Sequence, residues 1–190
     1  MTRTVRLFLA VNLPPATRRA IHSAIAPMRE AAACVSWVAE PRLHLTVKFL
    51  GEQPQHEADR LRESLRPVVA THPALSLAMG GLGAFPNLRS PRVVWMGVEH
   101  DPRLELLHHA VESVCGTLGH EMDGRAFRPH LTLGRVRDRL AAPMARALAG
   151  AARGVQFAGR AEMTTLDLME SELMPAGPRY RVVAALPLGG

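Results

Sequence analysis

The tetrapeptides His44-Leu45-Thr46-Val47 and His130-Leu131-Thr132-Leu133 repeat one pattern in the two halves of the chain. Side chains on a β-strand alternate between its two faces. Each histidine would therefore share a face with the threonine two residues on, and the aliphatic residues would face a core. Two similar lobes that face each other would bring the two polar pairs together across a cleft.

The segments around these motifs alternate between strand and helix patterns. The clearest helix covers 104–118, with Leu104, Leu107, Val111, Val114 and Leu118 on its buried face. Further helices are predicted over 16–33 with a break at Pro27, over 57–69 and over 144–148. Strands are predicted over 4–12, 35–38, 43–50, 75–79, 93–98, 131–136, 155–157, 163–169 and 180–186. The glycine-rich residues 80–83 predict a turn. The pattern indicates an α+β fold with largely antiparallel sheets.

Composition favours an anionic partner. The 190 residues carry a net charge of +6, and Lys48 is the only lysine, so the excess is arginine, which suits bidentate phosphate contacts. No apolar run approaches the ~20 residues of a membrane span. The apolar run 7–11 is too short for a signal peptide and predicts a first strand instead. The two cysteines, Cys34 and Cys115, form no CxxC motif, which favours a reducing cytoplasm.

A pair of histidines suits the hydrolysis of a cyclic phosphodiester. One group must accept a proton from the attacking water while the other donates one to the leaving oxygen, and histidine titrates near neutral pH. Threonine hydroxyls can hold the remaining phosphate oxygens. The scheme requires no metal and no other cofactor. Two alternatives stay open: histidines with a structural role, and a zinc pair, which the lack of a nearby HxxxH or cysteine cluster disfavours.

These residues and their flanks resemble the two-histidine phosphoesterases, and within them the RNA 2′,3′-cyclic phosphodiesterases, also called 2′-5′ RNA ligases. The resemblance covers nearly the whole chain. It is carried by the segments 6–11 (Arg-Leu-Phe-Leu-Ala-Val), 44–52 (His-Leu-Thr-Val-Lys-Phe-Leu-Gly-Glu), 85–86 (Phe-Pro), 91–98 (Pro-Arg-Val-Val-Trp-Met-Gly-Val), 127–135 (Phe-Arg-Pro-His-Leu-Thr-Leu-Gly-Arg), 170–171 (Glu-Ser) and 177–180 (Gly-Pro-Arg-Tyr).

The resemblance implies one bilobal domain over residues 1–190, with two pseudo-symmetric lobes, helices outside and one motif per lobe. It implies hydrolysis of a terminal 2′,3′-cyclic phosphate to a 2′-phosphate. His44 would be the proton donor to the leaving 3′ oxygen, and His130 the proton acceptor that activates water. By the same analogy Thr46 and Thr132 bind phosphate oxygens.

Other substrate contacts depend on strand parity. Arg135 is a phosphate-binding position in the family, yet parity places it opposite His130 unless Gly134 permits a bulge. Lys48 shares parity with His44 and could reach the cleft or stay on a solvated rim. Phe49 is core by parity, although an aromatic ring at a cleft mouth could stack a base. Tyr180 is a further plausible contact.

The expected partner is RNA, or a nucleotide, with a 2′,3′-cyclic phosphate end. The protein is expected to be a cytoplasmic monomer with no membrane partner. Three other functions stay open: a 2′-5′ RNA ligase acting on tRNA halves, a non-enzymatic RNA-binding module, and a phosphodiesterase for small nucleotide-derived cyclic phosphates.

Overall fold

The computed structural model describes residues 3–174 and 177–189, and they alternate between strands and helices. The strands are β1 (Thr4–Asn12), β2 (Ser36–Trp37), β3 (His44–Pro54), β4 (Leu75–Phe85), β5 (Val93–Val98), β6 (His130–Arg135), β7 (Ala158–Met163), β8 (Thr165–Met174) and β9 (Gly177–Pro187). The α-helices are α1 (Pro15–Ala24), α2 (Ala26–Ala31), α3 (Glu57–Val69), α4 (Pro102–Thr117) and α5 (Ala142–Gly154), and a short 3₁₀ helix covers Glu40–Arg42.

Within the described residues the nine strands form one sheet in which every strand pairing is antiparallel. Its order is β7-β4-β5-β6-β3-β1-β8-β9, with the short β2 alongside β6. The order divides into two four-stranded halves that meet where β6 lies beside β3, the two strands that carry the His-x-Thr motifs. The prediction of an α+β fold with antiparallel sheet is confirmed.

The two faces of the sheet differ in burial. Leu45 and Leu131 belong to the main core, together with Leu104 and Leu107 of α4. The opposite face carries a small cluster of Phe8, Ala10 and Met169, with Tyr180 packed against it. Helices therefore pack on the face that carries the main core, and the opposite face carries only the small cluster.

Two predicted segments are wrong, and one break is confirmed. Residues 80–83 are not a turn, because β4 runs through them with a register shift at Gly81, whose φ is +65°. A Cβ on Gly83 would lie 2.3 Å from the ring of Trp95 on the neighbouring strand β5, so the Trp95 side chain leaves room only for glycine here. Residues 155–157 precede β7 instead of forming a strand. The break near Pro27 separates α1 from α2.

No helix among the described residues combines the length and the apolar character needed to cross a bilayer.

Candidate active site

The two His-x-Thr motifs lie side by side at the centre of the sheet. Leu45 of β3 pairs with Leu131 of β6 in antiparallel register. One residue to either side, this register sets His44 across from Thr132 and Thr46 across from His130. Strand alternation sends all four side chains to the face opposite the leucines, and diagonal neighbours in such a pair are about 7–8 Å apart. The structure thus brings the four predicted residues to one place.

Both imidazoles are held in the same way. Nδ1 of His44 lies 2.7 Å from the carbonyl oxygen of Arg42, and Nδ1 of His130 lies 2.7 Å from the carbonyl oxygen of Arg128. A carbonyl only accepts hydrogen bonds, so Nδ1 carries a proton in both cases. Nε2 is then the atom that takes up or releases a proton on each ring.

Aromatic rings fix the orientation of the imidazoles further. The His44 ring meets Tyr180 edge to face, with centroids 5.3 Å apart, and Phe8 at 5.2 Å. The His130 ring meets Phe85 edge to face at 5.2 Å. Each ring is therefore held by one backbone carbonyl and by at least one aromatic neighbour, and its Nε2 atom has a defined direction.

The environment of His44 favours its neutral form. Burial lowers the pKa of His44 below its usual value, and the positive charge of Arg135 lowers the pKa further. The hydrogen bond to the Arg42 carbonyl opposes both effects by raising the pKa. A lowered pKa makes the imidazolium of His44 a stronger acid once it is formed.

A bulge follows each motif and changes which face the next residues occupy. On β3, Thr46 pairs with Ala10 while Lys48 pairs with Leu9, so Val47 is an extra residue in the ladder. On β6, Thr132 pairs with Trp95 while Gly134 pairs with Val94, so Leu133 is an extra residue in the same way. One extra residue inverts the alternation of the residues that follow it, as far as the next register shift, which on β3 is at Leu50. Parity alone therefore gives the wrong face for the residues after each motif.

The prediction that Lys48 reaches the cleft is wrong for this reason. The Lys48 side chain is only 4% exposed and points to the helical side of the sheet. Its ammonium group donates to Glu112 Oε1 of α4 at 2.7 Å and to the carbonyl oxygen of Glu121 at 2.8 Å. Lys48 joins the sheet to the helix layer and does not face substrate.

The same inversion brings Phe49 and Arg135 to the face of the histidines. Phe49 is 68% exposed and its ring lies 6.3 Å from that of Phe8, so the parity prediction of a core position is wrong. Arg135 is exposed, and its charge acts on His44. The expected bulge exists, but Leu133 forms it, one residue before Gly134.

The sequence profile of the 2′-5′ RNA ligase superfamily matches residues 14–173. The chain belongs to this superfamily. Proteins named RNA 2′,3′-cyclic phosphodiesterase are 33% identical in Methanothermobacter thermautotrophicus, over 93% of this chain and 95% of that protein, and 33% identical in Archaeoglobus fulgidus, over 93% and 97%.

Crystal structures of similar proteins show the same fold over nearly the whole chain. TT0787 of Thermus thermophilus gives a TM-score of 0.81 at 28% identity, over 97% of this chain and 98% of that one. E. coli LigT, crystallised with 3′-AMP, gives 0.77 at 28% identity, over 98% and 99%.

In this member of the superfamily, the part of the chain that the structure describes has no group of three or more His, Cys, Asp or Glu side chains able to hold a metal ion. The polar groups that do surround the histidines are Thr46 and Thr132, both half-buried, and Arg135.

Sequence reasoning missed a polar pair beside His44. Asn12 ends β1 directly across from His44, and its amide donates to Asp167 Oδ2 of β8 at 2.6 Å. Asp167 stands in an apolar run of strand β8 and is 155 residues away from Asn12, so no local pattern joins them. The Arg42 and Arg128 carbonyls that orient the histidines were missed as well, because backbone atoms leave no trace in residue identity.

Proposed function

We propose that this protein hydrolyses a terminal 2′,3′-cyclic phosphate of RNA to a 2′-phosphomonoester. The observation that carries the proposal is the pairing of His44-x-Thr46 with His130-x-Thr132 across the β3–β6 junction, with each Nδ1 bonded to a carbonyl so that each Nε2 is free to exchange protons. Relatives named RNA 2′,3′-cyclic phosphodiesterase, alike over nearly the whole chain, support the choice of substrate.

The reaction needs one bond formed and one broken at phosphorus. Nε2 of His130 accepts a proton from water as its oxygen bonds to phosphorus. The bond from phosphorus to the 3′ oxygen breaks on the opposite side, and Nε2 of His44 donates its proton to that oxygen. The phosphoryl group stays on the 2′ oxygen. The direction of transfer follows the resemblance to the family.

Neighbouring groups stabilise the charge on the phosphate. The hydroxyls of Thr46 and Thr132 donate to its non-bridging oxygens, and the guanidinium of Arg135 places a positive charge beside them. A bound phosphodiester anion also offsets the effect of Arg135 on His44, which favours the imidazolium that the donor role needs. The two imidazoles supply both proton transfers, so we propose that the chemistry runs without a metal ion.

We also propose a cytoplasmic monomer. Both cysteines are free thiols, Cys34 at the surface and Cys115 in the core, which supports a reducing compartment. Burial raises the pKa of the Cys115 thiol to about 11, which keeps it protonated and unreactive.

A product assay tests the proposal. Nucleoside 2′,3′-cyclic phosphates and RNA with a cyclic phosphate end are incubated with the protein and a chelator, without ATP, and phosphorus NMR identifies the hydroxyl that keeps the phosphoryl group. We expect 2′-phosphates at a rate unaffected by the chelator. Joining of a 5′-hydroxyl strand in place of hydrolysis would indicate a ligase, and tight RNA binding without turnover a binding module.

Alanine variants test the roles of the histidines. His44→Ala and His130→Ala should each lose roughly 10²–10⁴-fold in rate, because each removes one proton transfer. His109→Ala is the matched control, since His109 is exposed on α4. An undiminished rate in either catalytic variant would refute the assignment.

A further inference from the structure

A cavity opens beside His44, on the side away from His130. It has a volume of about 720 Å³, and the residues that line it include Asn12, Arg18, His44, Asp167 and Tyr180. Of these residues, only His44 has a role in the proposed reaction at the β3–β6 junction. The other lining residues come from β1, β8, β9, α1 and the 3₁₀ helix.

Asp167 is the unexplained group in this cavity. It is 5% exposed, and its Oδ2 atom accepts the hydrogen bond from Asn12. Its Oδ1 atom is buried and, among the described residues, has no hydrogen-bond partner. A buried acceptor without a donor is rare in folded proteins, because it has lost water and gained nothing in return. A donor from a ligand would complete it.

The position of Asp167 excludes the phosphate as that ligand. Asp167 is paired with Ala10, which is paired with Thr46, so Asp167 lies two strands from the phosphate site. Two strand spacings are about 10 Å. A carboxylate would also repel a phosphate anion. The group that reaches Oδ1 must therefore be a hydrogen-bond donor that lies farther from phosphorus than the ribose ring. In an RNA substrate such a donor is a neutral N–H of the base.

A nucleobase meets both conditions. Each RNA base carries an N–H donor on its Watson–Crick edge, beside an acceptor. The same cavity offers a complementary donor in Arg18. Its Nε atom is buried, lies 3.6 Å from Glu40 Oε1, and has no partner at hydrogen-bond distance within the described ranges. Tyr180 and Met169 supply apolar surface for the face of the base.

We propose that Asp167 recognises the base of the terminal nucleotide, by accepting an N–H from its Watson–Crick edge at Oδ1. This inference rests on the proposed function, since it places the base relative to a phosphate at His44 and His130. It gives the site a preference for nucleosides over smaller cyclic phosphates. Asp167 is a specificity residue here and takes no part in proton transfer.

The test compares substrates with and without a base. The four nucleoside 2′,3′-cyclic phosphates and ribose 2′,3′-cyclic phosphate are given to the wild type, to Asp167→Asn and to Asp167→Ala. Glu170→Gln is the matched control. Glu170 lies on the same strand as Asp167, strand alternation places it on the other face of the sheet, and its carboxylate is paired with Arg181. Circular dichroism melting confirms that each variant folds.

We expect both Asp167 variants to lose at least about tenfold in kcat/KM on their preferred nucleoside substrates, as for a lost hydrogen bond to a charged group. The rate on the ribose compound should stay unchanged. An equal loss on all five compounds would show that Asp167 only holds Asn12 and the strands in place. No loss on any of them would overturn the base contact.

Binding separates this inference from the proposed function. If the wild type turns over none of the five compounds, the proposed function fails, and calorimetry with the four nucleoside 2′-monophosphates and ribose 2-phosphate still decides the role of Asp167. A loss of affinity in Asp167→Asn confined to the nucleotides supports it. Equal affinities of the wild type and the variant overturn it.

Discussion

Strands β3 and β6 are alike up to the bulge and differ after it. Both carry histidine and threonine on one face, and both histidines are bonded to the carbonyl two residues before them. Beyond the bulges, β3 places Phe49 on the histidine face where β6 places Arg135. On the other face, Lys48 of β3 corresponds to Gly134 of β6.

The difference separates two tasks. In the proposed reaction, the repeated part would act on a phosphorus atom that is itself nearly symmetric, with one oxygen entering and another leaving. The unrepeated part makes the two ends unequal: Arg135 adds charge that acts on His44, and Phe49 adds an apolar ring. Under the proposed mechanism, these unequal residues would give a direction to an otherwise symmetric pair of histidines.

The largest effect should come from removing both histidines. If they act in one transition state, the double variant His44→Ala/His130→Ala should lose little more activity than the more damaged single variant, roughly 10²–10⁴-fold. Single-turnover rates on one cyclic phosphate measure this. Losses that multiply would show that the two rings act in separate steps and would break the equivalence of the two strands.

The next effect concerns stability. Lys48→Met removes the ammonium group 2.7 Å from buried Glu112 and leaves, among the described residues, only His108, 3.8 Å away, as an ion-pair partner when it is protonated. We therefore expect the free energy of unfolding to fall by about 3–5 kcal/mol in urea. The double variant Lys48→Met/Glu112→Leu should recover much of it. The control is Arg62→Met, whose exposed pair with Asp59 should be worth at most about 1 kcal/mol. Equal losses from Lys48 and Arg62 would contradict the anchoring role.

The third-largest effect should come from replacing Arg135 and Phe49, the residues that make the two strands unequal. Arg135→Gln should lower kcat by about 10²-fold, as for loss of one group that stabilises transition-state charge. Phe49→Leu should leave kcat unchanged and raise KM roughly tenfold on RNA with several nucleotides, if the exposed Phe49 ring stacks a base as predicted. Mononucleotide substrates should respond less to Phe49→Leu. Equal effects of the two variants on kcat would remove the distinction between the two ends.

The smallest effect is a change in pH dependence. If His44 donates a proton as proposed, kcat/KM should be lost as pH rises through the pKa of His44, which burial and Arg135 hold below its usual value. Arg135→Gln should move this limb to higher pH, and histidine NMR titration should show the same shift. Arg137→Gln, an exposed neighbour, is the control. If Arg135→Gln leaves the high-pH limb of the kcat/KM profile unchanged, Arg135 does not lower the pKa of His44.

Local patterns were sufficient for the motifs and for α4. The histidine, threonine and leucine alternation and the spacing of Leu104, Leu107 and Val111 are set by neighbours in sequence, and the structure places them as expected. The roles of the site residues in catalysis stay predictions.

Faces beyond the motifs were not predictable, because a bulge is set by the partner strand. Lys48 and Phe49 exchanged faces owing to pairing with β1, and Arg135 turned to the cleft owing to pairing with β5. Asp167 was missed for the same kind of reason. Its partner Asn12 is adjacent only after the sheet is assembled.

Gly134 limits how far the two halves of the molecule can converge. A Cβ at this position would lie 2.8 Å from Val35 Cγ1 and 2.9 Å from the Trp37 ring, closer than real Cβ contacts allow. A lysine at this position, the counterpart of Lys48, would require the side chains of Val35 and Trp37 to move. Packing against Val35 and Trp37 therefore keeps the two strands unequal on their core face as well as on their histidine face.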